Sequence, residues 1–157
     1  MTTDQRLIED YLPIEAISAE AKREKSIRKG HISTLHLWWA RRPLVACRAA
    51  VYGALVPASA TPRARRERAR FVAELCTYPG PADKIADARR HILEAHAARL
   101  SEEMGRPVTV ADIEAGRAPR LRVLDMFAGG AIPLEALRLR CEAHALELNP
   151  VAHLIER

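Results

Sequence analysis

From Leu7 to about Lys25 the apolar positions Leu7, Ile8, Tyr11, Leu12, Ile14 and Ile17 recur at spacings of one, three and four, with Pro13 between them. That spacing is a helix face, and a proline inside it removes a backbone donor, so the pattern predicts a short helix, a break and a second helix from about Ile14. The second helix runs into a basic stretch, Lys22 to Lys29, closed by Gly30. Leu44 to Leu55 is small and apolar and follows Pro43, which predicts a buried helix. Pro57 to Pro62 reads as a linker. Arg63 to Cys76 is an amphipathic helix with five Arg in its first eight positions, stopped by Tyr78-Pro79-Gly80-Pro81. A further helix is predicted from about Ala82 to Glu103, with Ile85, Ile92, Leu93, Ala97 and Leu100 on one face and Gly105 and Pro107 at its end. Val108 to Pro119 reads as a short connection.

The pattern then changes. Leu121 to Met126 is a short β-type run, Phe127 to Ala131 a turn of mostly small residues, Ile132 to Arg140 helical, and Cys141 to Leu148 a second strand; Asn149-Pro150 begins another helix. A β-α-β-α order in a compact domain implies parallel strands with right-handed crossovers. The expected class is therefore α/β. A helical leader region (1–57) is followed by a linker with two amphipathic helices (58–120) and then by the start of a parallel-sheet domain (121–157).

Composition narrows this further. The chain has 157 residues, 48% hydrophobic and 29% charged, the balance of a core-forming globular protein. Aromatics are only 4%, so the core is mainly aliphatic. Twenty-five Lys and Arg against 20 Asp and Glu give a net charge of +5, a mild excess that admits an anionic partner without requiring one. Cys47, Cys76 and Cys141 stand far apart with no CxxC pair, which predicts neither a zinc site nor a disulfide framework and points to a reducing cytoplasm. No run reaches the roughly 18 apolar residues of a membrane span, and the first residues lack a signal-peptide layout.

Candidate chemistry centres on the turn after the first strand. A strand ending in an acid, a Gly turn and a helix is how parallel sheets hold nucleotide-like ligands at their C-terminal edge. A second acid near the end of the next strand can accept hydrogen bonds from both ribose hydroxyls. Here the two acids are Asp125 and Glu147, 22 positions apart. The GxGxxG form is absent, and a carboxylate before the turn would repel a pyrophosphate. It suits a ligand with a cationic amino-acid end and an adenosine end, the description of S-adenosylmethionine. The plain alternative is a βα turn with a Gly for geometry, incidental acids, and Asn149-Pro150 as an ordinary helix start.

Two segments carry a family resemblance. Val123 to Ala136, with Phe127-Ala128-Gly129-Gly130 at its centre, resembles the cofactor motif of amino-group DNA methyltransferases, and Leu146 to Ala152 resembles their following acidic motif. The N-terminal part, with His31 to Pro43 and its Trp38-Trp39-Ala40-Arg41-Arg42-Pro43 block, resembles the uncharacterised leader domain of large adenine-specific DNA methylases that carry a zinc ribbon further on. The likeness covers about residues 7–57 and 121–155. It implies a Rossmann-like S-adenosylmethionine-dependent methyltransferase fold, begun on these residues, and a restriction or phage-defence setting. It implies that Asp125, Phe127, Gly129 and Gly130 line the methionine end of S-adenosylmethionine, that Glu147 holds the ribose, and that Asn149 and Pro150 shape the wall near the adenine. Trp38, Arg41 and Arg42 are the expected DNA or inter-domain contact.

The resemblance has gaps. The family's turn usually carries one more Gly than Phe127 to Ala131 supplies. Adenine-N6 transfer uses an Asn or Asp followed by Pro-Pro and an aromatic ring on which the flipped base stacks, and no Pro-Pro occurs in these residues. The chain is therefore read as the N-terminal portion of a larger enzyme, or one piece of an assembly, without methyltransferase activity alone. DNA, or a second chain completing the sheet, is the expected partner. The alternative is a non-catalytic DNA-binding or assembly subunit with a degenerate cofactor turn. The basic runs Lys22 to Lys29 and Arg63 to Arg70 either contact phosphates or form solvated helix faces. His31 and His36, five apart, do not form a helical metal pair, and no metal site is expected.

Overall fold

The computed structural model describes residues 4–27 and 42–151. Among them are helices α1 (Leu7–Asp10), α2 (Ile14–Ser26), α3 (Leu44–Leu55), α4 (Pro62–Leu75), α5 (Ala82–Met104), α6 (Val110–Glu114) and α7 (Ala131–Arg138). Strands β1 (Arg122–Asp125) and β2 (Glu142–Ala145) flank α7.

The break at Pro13 falls where the sequence places it, between α1 and α2. The apolar stretch after Pro43 becomes the hub of the molecule: α3 packs against α1, α2, α5 and α7. Val45, Ala49, Val51 and Tyr52 of α3 are buried with Leu7 of α1, Ile17 of α2, Val72 and Leu75 of α4, Ile85 and Ile92 of α5, and Leu139 and Cys141 after α7. Each wholly buried Val, Leu or Ile side chain contributes roughly 1.5–3 kcal/mol relative to exposure, so this one cluster ties residues 7 to 141 together. Gly53 lets α1 approach closely, because a Cβ there would sit 3.2 Å from the Leu12 side chain and 3.3 Å from that of Ile8. A smaller cluster, Ala97, Leu100, Val108, Ile113 and Ala118, joins the end of α5 to α6.

Charged groups organise this apolar hub. Glu24, inside the predicted basic run, is buried and caps α3: its carboxylate accepts the Leu44 N–H at 2.9 Å and the Val45 N–H at 3.1 Å. A carboxylate at a helix N-terminus satisfies orphan amides and complements the helix dipole. Arg48 and Glu135 are also fully buried, on α3 and α7.

The expected α/β class is corrected here. The described residues are mostly helical, with a sheet of two four-residue strands and no Rossmann-like β-α-β-α unit. The strands are parallel, with Arg122 opposite Glu142 and Asp125 opposite Ala145. Of the run predicted as a second strand, Cys141 to Leu148, only Glu142–Ala145 is strand. A parallel pair this short buries little by itself; its covered face leans on the helical core through Val123 and Ala143. The other face carries Arg122, Leu124, Glu142 and His144, all exposed. No helix among the described residues is long and apolar enough to cross a membrane.

Candidate ligand edge of the two-stranded sheet

Asp125 ends β1, and Glu147 lies two residues beyond its register partner Ala145, so both carboxylates sit at the C-terminal edge of adjacent strands. Paired residues of parallel strands face the same way, which puts Asp125 and Ala145 on one side of the ribbon. The pairing continues past the strand ends: the Leu146 N–H donates to the Asp125 carbonyl at 2.8 Å, and the Ala128 N–H donates to the Leu146 carbonyl at 3.0 Å. The turn after β1 is thereby stitched to the segment after β2.

Each carboxylate folds its own loop. One oxygen of Asp125 accepts the Phe127 N–H at 3.1 Å. One oxygen of Glu147 accepts the Asn149 N–H at 2.9 Å, and the Asn149 side chain in turn accepts the Val151 N–H at 2.9 Å. Asn149 thus makes the cap that its sequence context suggests, at the start of the helical residues Pro150 and Val151. Gly130 is the N-cap of α7 at φ +81°, a conformation that favours glycine. Gly129 borders open space: a Cβ built there meets nothing within 4 Å. Phe127 is 75% exposed, with its ring available to a ligand rather than to the core. Two half-buried carboxylates beside an open glycine turn form an acceptor-rich edge, whose chemistry fits a cationic amino-acid group and vicinal hydroxyls.

The structure therefore brings together Asp125, Phe127, Gly129, Gly130, Glu147, Asn149 and Pro150, while Trp38 and Arg41 lie outside the described residues. Arg42 is exposed just before α3. Burial first, and then the charges of Glu135, Glu24 and Asp125, push the Cys47 thiol up to about 11 against the opposing charge of Arg42. Cys76 is pushed up to about 12 and Cys141 to about 11, chiefly by burial, so all three thiols are inert packing groups.

Three polar features escaped the pattern reading. Arg48 on α3, the buried Glu24 and Glu135, and a Tyr52–Arg68–His91 cluster all depend on partners 16 or more positions away. The lone Arg in the apolar α3 run is the one sequence signal that could have found the first of them. Of the Arg63 to Arg70 run, Arg63 pairs with Glu67, Arg65 with Asp10, and Arg68 turns inward, leaving Arg66 and Arg70 exposed.

A family profile described as a protein of unknown function (DUF1156) matches residues 11–75, the stretch holding α2, α3 and α4. No curated protein and no solved structure matches the chain. The similarity to that family covers these residues alone.

Proposed function

We propose that this chain takes part in S-adenosylmethionine-dependent methylation of DNA adenine, contributing the edge that holds the cofactor. The observation that carries this reading is the position of Asp125 and Glu147 at one end of neighbouring parallel strands, joined across the turn by the Ala128–Leu146 hydrogen bond. Asp125 would accept the ammonium of the methionine end and Glu147 the ribose hydroxyls, with Phe127 and the Gly129-Gly130 turn between them. Asn149 and Pro150 would form the wall by the adenine. The cofactor supplies the methyl group; these residues bind and orient it. The Pro-Pro motif that holds the target amine does not occur in these residues, so the reading gives the chain a cofactor-binding role without transfer by itself.

A reading as a non-catalytic assembly subunit is favoured by one observation: Leu124, Met126, Leu146 and Leu148 are all exposed around the sheet. Apolar side chains grouped in this way suit coverage by further protein.

Equilibrium dialysis of the 157-residue chain against labelled S-adenosylmethionine tests the proposal. Retention that is lost in Asp125→Ala supports it; no retention at millimolar cofactor refutes it.

A further inference from the structure

A cleft of about 400 Å³ opens between the Pro57–Ala60 connector, α4 and α5, on residues separate from the sheet edge. Its walls include the small apolar residues Pro57 and Ala64, the Ser59 hydroxyl, and the rings of Phe71 and His91, which meet edge to face at 4.9 Å. Arg68 also lines it. This guanidinium is anchored from below: one of its terminal nitrogens donates to the hydroxyl of the wholly buried Tyr52 and lies 3.0 Å from His91 Nδ1. Tyr52 Oη is 3.0 Å from the same ring nitrogen. A guanidinium only donates, so His91 Nδ1 is the acceptor and the neutral ring carries its proton on Nε2.

Arg68 differs from its neighbours on α4. Arg63 and Arg65 are paired with carboxylates, whereas among the described residues none lies within ion-pair distance of Arg68. The acid on the cleft wall, Glu67, is held by Arg63 at 3.0 Å. The Nε and second terminal nitrogen of Arg68 make no hydrogen bond to a described residue. A fixed guanidinium with an open donor edge is the geometry that grips a carboxylate or phosphate through two parallel bonds. The cleft is also larger than a bare oxyanion requires, and Pro57, Ala58, Ala60, Ala64 and Phe71 give it an apolar wall, as in sites that hold an organic body.

We propose that this cleft binds a small organic oxyanion, a carboxylate or phosphate monoester on a flat apolar body, with Arg68 gripping the anion and Phe71 lying along the body. Ser59 and the His91 ring N–H complete the donor set. Tyr52 is a positioning residue: it fixes Arg68 from the core side and touches no ligand.

The test uses the full chain and four probes: phenyl phosphate, benzoate, inorganic phosphate and benzyl alcohol. Binding is read by calorimetry, and the His91 titration is read by NMR. Phenyl phosphate or benzoate binds at least tenfold more tightly than inorganic phosphate, and benzyl alcohol does not bind; the ratio of the first two tells which oxyanion is preferred. Burial first, and then the charges of Arg68 and Arg90, hold His91 below its ordinary pKa, against the opposing charges of Glu94 and Asp87. A bound anion offsets Arg68, so saturation raises the His91 midpoint. Arg68→Gln weakens binding at least tenfold. Arg68→Lys, which keeps the charge but loses the fork, shows an intermediate loss and stands in should the Gln variant fail to fold. The proposal is overturned if neither organic anion binds at 10 mM on the order expected of weak sites. It is equally overturned if binding leaves the His91 midpoint unmoved, or if Arg68→Lys binds as the parent does.

Discussion

Arg48 and Glu135, 87 positions apart, form a fully buried ion pair in which Arg48 Nε donates to one carboxylate oxygen at 2.7 Å and a terminal nitrogen to the other at 3.2 Å. The remaining Arg48 donors reach the Leu75 carbonyl at 2.9 Å, Thr77 at 3.1 Å and Pro79 at 2.9 Å. One side chain on α3 thus fastens α7 and the loop after α4 at once. From the other side, α2 grips the same loop: the Glu20 carboxylate accepts the Tyr78 N–H at 2.7 Å, and Arg23 donates to the Tyr78 carbonyl at 3.1 Å.

Glu135→Ala leaves the guanidinium buried without its counter-charge. Breaking such a pair costs about 3–5 kcal/mol, while replacing both partners by apolar groups is often far cheaper. The expected result in urea unfolding is a large loss of stability for Glu135→Ala and a smaller one for Arg48→Met combined with Glu135→Leu. A single-variant loss below about 1 kcal/mol would contradict the role assigned to the pair.

Gly80→Ala tests the same junction from the backbone. Gly80 has φ +113°, and a Cβ there would lie 2.6 Å from an Arg48 terminal nitrogen. The end of an arginine usually gives way, but this one is held by five hydrogen bonds. Backbone strain alone costs about 1–3 kcal/mol, and displacing the guanidinium adds to it. Gly105→Ala, at φ +61° with nothing within 4 Å of the new atom, incurs only the strain of about 1–2 kcal/mol. Thermal melts are expected to place Gly80→Ala well below Gly105→Ala, and the reverse order would be inconsistent with a rigid Arg48.

Acid destabilises the fold through two histidines. His96 Nε2 donates to the Pro119 carbonyl at 2.9 Å, and Nδ1 accepts from Arg99 at 3.1 Å, an arrangement open only to the neutral ring. Burial, reinforced by the Arg99 charge and opposed by the bond to Pro119 and the Glu103 charge, lowers its pKa; His91 is lowered likewise. Folded values below the ordinary 6.5 mean that the unfolded chain takes up protons first. Stability is therefore full above pH 6.5 and falls as the pH drops through the lowered folded values. Melting temperatures between pH 5 and 8 check this, with His96→Gln expected to soften the slope. Asp112, held to about 2 chiefly by the Thr109 hydroxyl and amide, adds its loss only under much stronger acid.

The helices were legible because their signals are local. Pro13 and Pro43 mark boundaries, and Gly105 takes the left-handed conformation that ends α5. Helix α6 was legible in principle: Thr109 and Asp112 form a reciprocal cap, the Thr109 hydroxyl accepting the Asp112 N–H and the Asp112 carboxylate accepting the Thr109 N–H. The α/β class failed because strands are defined by what they pair with. Leu146 and Leu148 read as strand residues, yet they lie beyond β2 with their side chains in the open. The basic run at Lys22 hid a buried carboxylate, since Glu24 points to the start of a helix 20 positions on. The positions of Asp125 and Glu147 follow from the local acid-turn-helix pattern: Asp125 ends β1, and Glu147 lies two residues past the end of β2. The Arg68 cleft was not legible, because it needs α3, α4, α5 and the connector assembled together.

The proposed cofactor role of the sheet edge is tested most directly by calorimetric titration of S-adenosylmethionine into the parent chain, Asp125→Asn and Glu147→Gln, with adenosine as a second ligand. If the two carboxylates hold opposite ends of one molecule, each substitution weakens S-adenosylmethionine at least tenfold, about 1.4 kcal/mol, and only Glu147→Gln weakens adenosine. Parent-like binding in both variants, or no heat from the parent chain at millimolar S-adenosylmethionine, would contradict that arrangement.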